Sequence, residues 1–209
     1  MTIELEPYLN QAFPGLTLEP SIYHQWPIGI HFELGAGIYQ LKDDGSLNLD
    51  RFNRVYRQAL AIFNELFSES DEIFLVTNVY QHTSNRFNKG RIKVYDRYVK
   101  NKEFKSKLQL QTVPFNDEGA DDFYISRFSL KCRKQHIKYP LLIKAACHED
   151  FRLKPKFGPV FNYPDVFFIN STKNIIFFIY DDRGCEVIAT KQETLRPLYE
   201  KYSEWIDEY

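Results

Sequence analysis

The sequence predicts an α+β fold in a single domain, residues 1–209. The expected form is a mixed or mainly antiparallel sheet with helices packed on one face, ending in a β-meander and an amphipathic helix. Three observations lead there. The chain holds 18 Phe and 14 Tyr, and aromatic side chains suit a pleated, half-buried surface. Apolar residues from Phe52 to Phe67 recur at steps of three and four, the period of one helix face. Between Val166 and Ala189, three apolar runs are joined by turns too short for a parallel crossover, so these strands must be antiparallel.

The elements follow in order. Residues 3–13 suit a short helix with Leu5, Leu9 and Phe13 on one face, ended by Pro14-Gly15. Ile28–Leu34 alternates: Ile28, Ile30, Phe32 and Leu34 point one way, and Gly29, His31 and Glu33 the other, as in a half-buried strand. After Gly35-Ala36-Gly37, Ile38–Leu41 is expected to pair back as a second strand. The long helix then begins with Asn48 as N-cap and Asp50 in its first turn. Ile73–Val79 reads as a strand, Asn85–Gly90 as loop, residues 94–108 as a helix and Asn116–Asp122 as an acidic loop.

Phe123–Cys132 alternates with a slip near Arg127, which suggests a bulged strand. Tyr139–Phe151 reads as a helix with Pro140 in its first turn. Arg152–Pro164, with three prolines, is a loop. The meander comprises Val166–Ile169, Ile175–Tyr180 and Cys185–Ala189. Its second turn, Asp181-Asp182-Arg183-Gly184, suits a type I turn closed by Gly in the left-handed region. Leu195, Leu198, Tyr199, Tyr202, Trp205, Ile206 and Tyr209 recur at helical spacing. Thr190 with Glu193 forms a capping box, and Thr194 is a second candidate cap.

At 209 residues the chain can bury about 70% of its unfolded surface, enough for a substantial core. The longest apolar run, Ile175–Ile179, is far short of the ~20 residues that a membrane helix needs. The acidic N-terminus lacks the basic and apolar regions of a secretory signal. Cys132, Cys147 and Cys185 are odd in number and widely spaced. They read as buried thiols in a reducing compartment, hence a cytoplasmic expectation.

The net charge of −1 conceals a segregation. Between Arg86 and Lys156 there are 18 Lys/Arg against 8 Asp/Glu; elsewhere there are 9 against 20. Arg86–Lys107 interleaves basic residues, among them Arg91, Lys93, Arg97 and Lys100, with Phe87, Tyr95, Tyr98 and Phe104. Such a face can dock an acidic protein, or bind single-stranded RNA if the aromatics are free to stack on bases. The plain alternative is a solvated helix face whose aromatics turn to the core.

Chemical motifs are otherwise sparse. Asp181-Asp182, with Glu33, could hold a divalent metal for a phosphodiester-acting enzyme, with Arg183 clamping a phosphate, although Asp and Gly also suit a tight turn for local reasons. Cys132-x3-His136 and Cys147-His148 lack zinc-site spacing, and neighbouring side chains on a helix point about 100° apart, which disfavours a Cys-His catalytic pair. No phosphate-binding glycine loop, dinucleotide fingerprint or nucleophile elbow is present, so no cofactor is expected.

Several segments carry a resemblance: Ile30-His31-Phe32-Glu33-Leu34-Gly35, Ser70-Asp71-Glu72-Ile73, Ala145 to Phe151, Tyr180-Asp181-Asp182-Arg183-Gly184, and Leu195 to Ile206. In this order, over most of the chain, they resemble a bacterial domain-of-unknown-function family, three-eight-eight-five in the usual naming. The Tyr-Asp-Asp-Arg-Gly segment is the most specific part. The resemblance implies a bacterial cytoplasmic protein and carries no activity; analogy with neighbours of secreted toxins suggests an immunity protein.

The functional expectation is therefore a non-enzymatic protein-binding module, an immunity protein that neutralises a cognate toxin, with an acidic protein partner. Its partner-binding candidates are Arg91, Lys93, Arg97, Lys100, Tyr180, Asp181, Asp182 and Arg183. Arg183 is expected to fold back onto Asp181 or an acidic helix residue, fixing the hairpin against the C-terminal helix.

Overall fold

The computed structural model describes residues 4–83, 93–115, 122–158 and 163–207. A seven-stranded, wholly antiparallel sheet runs through them. Its strands are β1 (Gly29–Glu33), β2 (Ile73–His82), β3 (Gln109–Pro114), β4 (Phe123–Cys132), β5 (Asp165–Asn170), β6 (Ile175–Ile179) and β7 (Gly184–Ala189), in the order β1-β7-β6-β5-β2-β4-β3. The helices are α1 (Leu5–Ala12), α2 (Ile22–Gln25), α3 (Leu49–Leu66), α4 (Lys93–Tyr98), α5 (Lys102–Lys105), α6 (Tyr139–Ala146) and α7 (Gln192–Lys201).

The strand periodicity divides the core in two. Leu75, Phe168, Phe177 and Val187 face α3, α6 and α7, meeting Val55, Ile62, Phe63, Leu142, Ile143, Leu195 and Leu198. Phe74, Val76, Phe167, Ile176, Phe178 and Ile188 face the other way, onto Leu5, Leu9, Phe13, Leu18 and Ile22. The expected one-sided cover therefore holds for α3, α6 and α7, while the N-terminal segment with α1 and α2 covers the opposite face. Central strands buried on both sides read as continuous apolar runs rather than alternating ones, as Ile175–Ile179 does.

Several local expectations are corrected. Ile38–Leu41 makes no second strand, because the Ile38 carbonyl is taken by the Arg51 guanidinium at 2.7 Å; only an isolated bridge joins Leu41 to Leu47. The helix expected over 94–108 breaks into α4 and α5. Val99 bridges to Ile137, the Lys100 amide bonds the His136 carbonyl, and the Asn101 side chain starts α5 afresh by accepting from the Glu103 amide. β3, Gln109–Pro114, is a strand in a segment to which the sequence assigns no element.

β4 has no bulge: its register against β2 is unbroken, and the slip at Arg127 reflects a buried guanidinium bonded to Asn78, the Leu18 carbonyl and Glu6. α6 ends at Ala146 rather than Phe151, since His148 turns inward to bond Tyr56 and the Pro155 carbonyl. Asn48 occupies the N-cap of α3 without a side-chain capping bond. Lys191, not Thr190, is the N-cap of α7, and the Thr194 amide bonds its carbonyl, so Thr194 lies within the first turn. The expected loop at Asn85–Gly90, and Asn116–Asp122 apart from Asp122, lie outside the described residues.

The three cysteines are free and buried, as expected. Among the described residues no helix is long and apolar enough to cross a membrane.

Candidate functional site

The Tyr180–Gly184 turn joins β6 to β7 at the end of the sheet next to β1, and each of its residues has an internal task. Asp182 is buried and accepts from the Arg51 Nε at 2.9 Å, while Arg51 Nη2 reaches the Asp182 carbonyl at 3.2 Å. Arg51, in the first turn of α3, also donates from Nη1 to the carbonyls of Gly35 and Ile38, both at 2.7 Å. Burial pushes the Asp182 carboxyl above its ordinary value, and the Arg51 guanidinium opposes the rise.

Asp181, also buried, accepts from the Arg183 backbone amide at 2.6 Å, as in an Asx turn. Its second oxygen accepts from both Arg183 Nε, at 2.7 Å, and Nη2, two charge-assisted bonds converging on one atom. Arg183 thus folds back as anticipated, with its side chain 65% exposed. The hairpin is pinned to α3 and β1, however, not to α7. The Leu34 amide bonds the Arg183 carbonyl at 2.7 Å, extending the β1 pairing into the turn.

Tyr180 lays its ring parallel to that of His31, and its hydroxyl meets His31 Nε2 at 3.0 Å. That hydroxyl stands over Gly184, where a Cβ would come within 2.0 Å of it. The left-handed closure expected of Gly184 is absent, because Gly184 is not among the positive-φ glycines; it is required instead by this close approach. The five-residue motif is a clasp that locks turn, strand and helix together.

A cleft of about 780 Å³ opens beside the clasp. It mixes His24, His31 and Arg183 with Glu33, Glu186 and Asp207, so its wall carries both signs of charge. Glu186 already accepts from the Tyr23 amide at 3.1 Å, placing its carboxylate at the start of α2. The metal grouping of Asp181, Asp182 and Glu33 is not assembled: both aspartates are committed to arginines. Among the described residues no three His, Cys, Asp or Glu side chains converge to hold an ion.

The half-buried Glu149 carboxyl is raised from 4.5 to about 7, first by burial, then by the charges of Asp165, Asp150 and Asp181, with Lys156 opposing. Because the folded pKa exceeds the unfolded one, the folded state holds a proton that the unfolded chain releases. Stability therefore rises as pH falls from about 7 towards 4.5, and the penalty of the charged form is complete above that window. Glu149→Gln should raise the melting temperature at about pH 8 and leave it nearly unchanged at about pH 4.5. Equal effects at the two pH values would count against this environment.

The second candidate region is cationic. His136 stacks on Phe104, with ring centroids 3.9 Å apart, and Lys107 Nζ lies over the same ring at 5.2 Å. Burial, followed by the charges of Arg133, Lys100 and Lys107, lowers the His136 pKa. Those three cations are exposed, and none has a carboxylate within ion-pair distance among the described residues. The neighbouring Lys105 is paired with Asp96 at 3.3 Å, and Arg97 bonds the Lys156 carbonyl at 3.1 Å.

Of the residues singled out in the sequence, Lys100 lies on this surface and Arg97 on the exposed side of α4. Lys93 begins α4, and Arg91 lies outside the described residues. Tyr180 to Gly184 sit together at the other end of the sheet. Tyr95 and Tyr98 are turned into the core, so they cannot stack on bases; Phe104 already stacks on His136. Arg133 is not among the sequence candidates and His136 enters there only as a zinc ligand, although the run Arg133-Lys134-Gln135-His136 directly after the expected Phe123–Cys132 strand is a signal for both.

The chain is 50% identical over 205 residues to a Bacillus subtilis (strain 168) protein named "Uncharacterized protein YnaE", a match covering 97% of this chain and 96% of that protein. No solved structure matches it. The profile of the domain of unknown function DUF3885 matches residues 5–209, spanning all the segments that carried the resemblance, and the chain belongs to that family.

Proposed function

We propose that this chain is a protein-binding module whose cationic surface docks an acidic protein partner, in the manner of an immunity protein that neutralises a toxin. The observation that carries the reading is the exposed trio Lys100, Lys107 and Arg133, gathered around the Phe104–His136 stack, none of them with a carboxylate at ion-pair distance among the described residues. Three uncompensated cations steer an acidic surface into contact and reject basic ones. The same charges would attract RNA, but single-strand binding draws on aromatic platforms, and Tyr95 and Tyr98 are buried.

The test is co-expression with the product of the adjacent gene, followed by purification of the complex at low salt. A complex should form, weaken as salt screens the charges, and lose about tenfold or more in affinity in the variant Lys100→Glu/Lys107→Glu/Arg133→Glu. The variant's melting temperature should match the wild type, since all three residues are exposed. The absence of a complex at low salt, or a complex indifferent to the triple reversal, would overturn the proposal.

A further inference from the structure

We propose that β3 receives an extended acidic segment of the partner as an added strand; this rests on the acidic-partner reading and specifies its geometry. Among the described residues β3 pairs only with β4, and it ends the sheet. A sheet edge presents a row of unpaired amides and carbonyls, which proteins normally shield with charge, proline, bulges or a covering loop. β3 has little of this. Gln109-Leu110-Gln111-Thr112-Val113-Pro114 contains no charged residue, and its one proline stands at the last position.

Its register with β4 runs unbroken from Gln109–Ser129 to Pro114–Tyr124. Every residue of the strand is exposed except the half-buried Val113, and Leu110 is 46% exposed. An uncharged, regular edge that none of the described residues pairs with is a template for another strand.

Charge decides the occupant. One residue of β3, Gln109 at its start, lines a groove of about 610 Å³ together with Lys107, Arg133 and His136, so the strand begins beside the cationic surface. Its acids are Glu4 and Glu72, the latter held by Lys131 at 2.9 Å. An incoming acidic strand would gain backbone hydrogen bonds from β3 and Coulomb attraction from the cations at its start. A second copy of this chain would bring another cationic surface onto the same edge, like charge against like.

The probe is a synthetic peptide of about eight residues, the span of an ordinary strand, alternating Glu with Val and Thr. Its control has the same sequence, with alternate backbone nitrogens methylated so that one edge cannot pair. The intact protein should bind the first peptide, bind the methylated one about tenfold or more weakly, and gain hydrogen-exchange protection along Gln109–Pro114. Equal binding of the two peptides, lost in the triple charge reversal, would overturn strand addition while leaving the acidic-partner reading intact. Failure of both peptides to bind a protein that forms the partner complex would do the same. Self-association in sedimentation that Leu110→Lys abolishes would give the edge to a second copy and equally overturn the proposal.

Discussion

Arg51→Met should cost the fold about 3–5 kcal/mol in urea unfolding, the usual penalty for removing one member of a buried ion pair. The buried guanidinium does two jobs. It neutralises Asp182, and it satisfies the carbonyls of Gly35 and Ile38 in a segment without regular backbone pairing. Methionine keeps much of the volume and restores neither function. Adding Asp182→Asn should recover the part due to the stranded carboxylate and leave the part due to the lost carbonyl bonds, roughly 1 kcal/mol for each, although the Gly35 carbonyl still accepts from the Ile38 amide at 3.3 Å. The double variant should thus be more stable than the sum of the single losses implies, the mark of coupled residues.

Arg51→Met should also become more stable as pH falls. Without the cation the buried Asp182 carboxyl holds a proton in the folded state that it gives up on unfolding, so acid favours the fold. An Arg51→Met protein within about 0.5 kcal/mol of wild type would show that the clasp contributes little.

This pair also marks where the sequence stops being informative. Arg51 and Asp182 are 131 positions apart, and nothing local to either announces the other. Within the hairpin, Asp181, Arg183 and the turn itself were legible because their interaction spans two residues. The periodic α3 and the short turns of the β5–β6–β7 meander were legible for the same reason: period and turn length are local properties.

Two features were harder. The second helical layer was hidden, although Ile175-Ile176-Phe177-Phe178-Ile179 is uniformly apolar as a strand buried on both faces must be. β3 was hidden because Gln109–Pro114 is exposed, and an edge strand with little to bury shows weak hydrophobic alternation. The cationic surface was half legible: Lys100 and Lys107 lie in the basic stretch, but antiparallel pairing of β3 with β4 and the stacking of Phe104 on His136 bring Arg133 beside them. The most specific family segment proved to be a clasp. That turns attention from the motif to a surface defined by charge and exposure.

Gly184→Ala should be the most disruptive of the single-methyl additions, costing about 3 kcal/mol or more. A Cβ at Gly184 would lie 2.0 Å from the Tyr180 hydroxyl, 2.6 Å from its ring and 2.6 Å from the Phe32 carbonyl. The tyrosine could swing away only by abandoning His31 and the parallel ring contact. The Phe32 carbonyl cannot move without disturbing the β1–β7 ladder, in which Phe32 faces Cys185 and Glu33 faces Gly184. Tyr180→Ala removes the side-chain clash but not the backbone one. In a double-mutant cycle, Gly184→Ala should therefore cost less in the Tyr180→Ala background than in wild type, yet still more than an ordinary surface substitution. The two parts separate the roles of the motif: the coupled part measures how tightly Tyr180 covers Gly184, and the remainder measures how closely β1 and β7 approach. If Gly184→Ala unfolds at the wild-type urea concentration, neither approach is as close as the geometry requires, and the glycine of the motif would need another explanation.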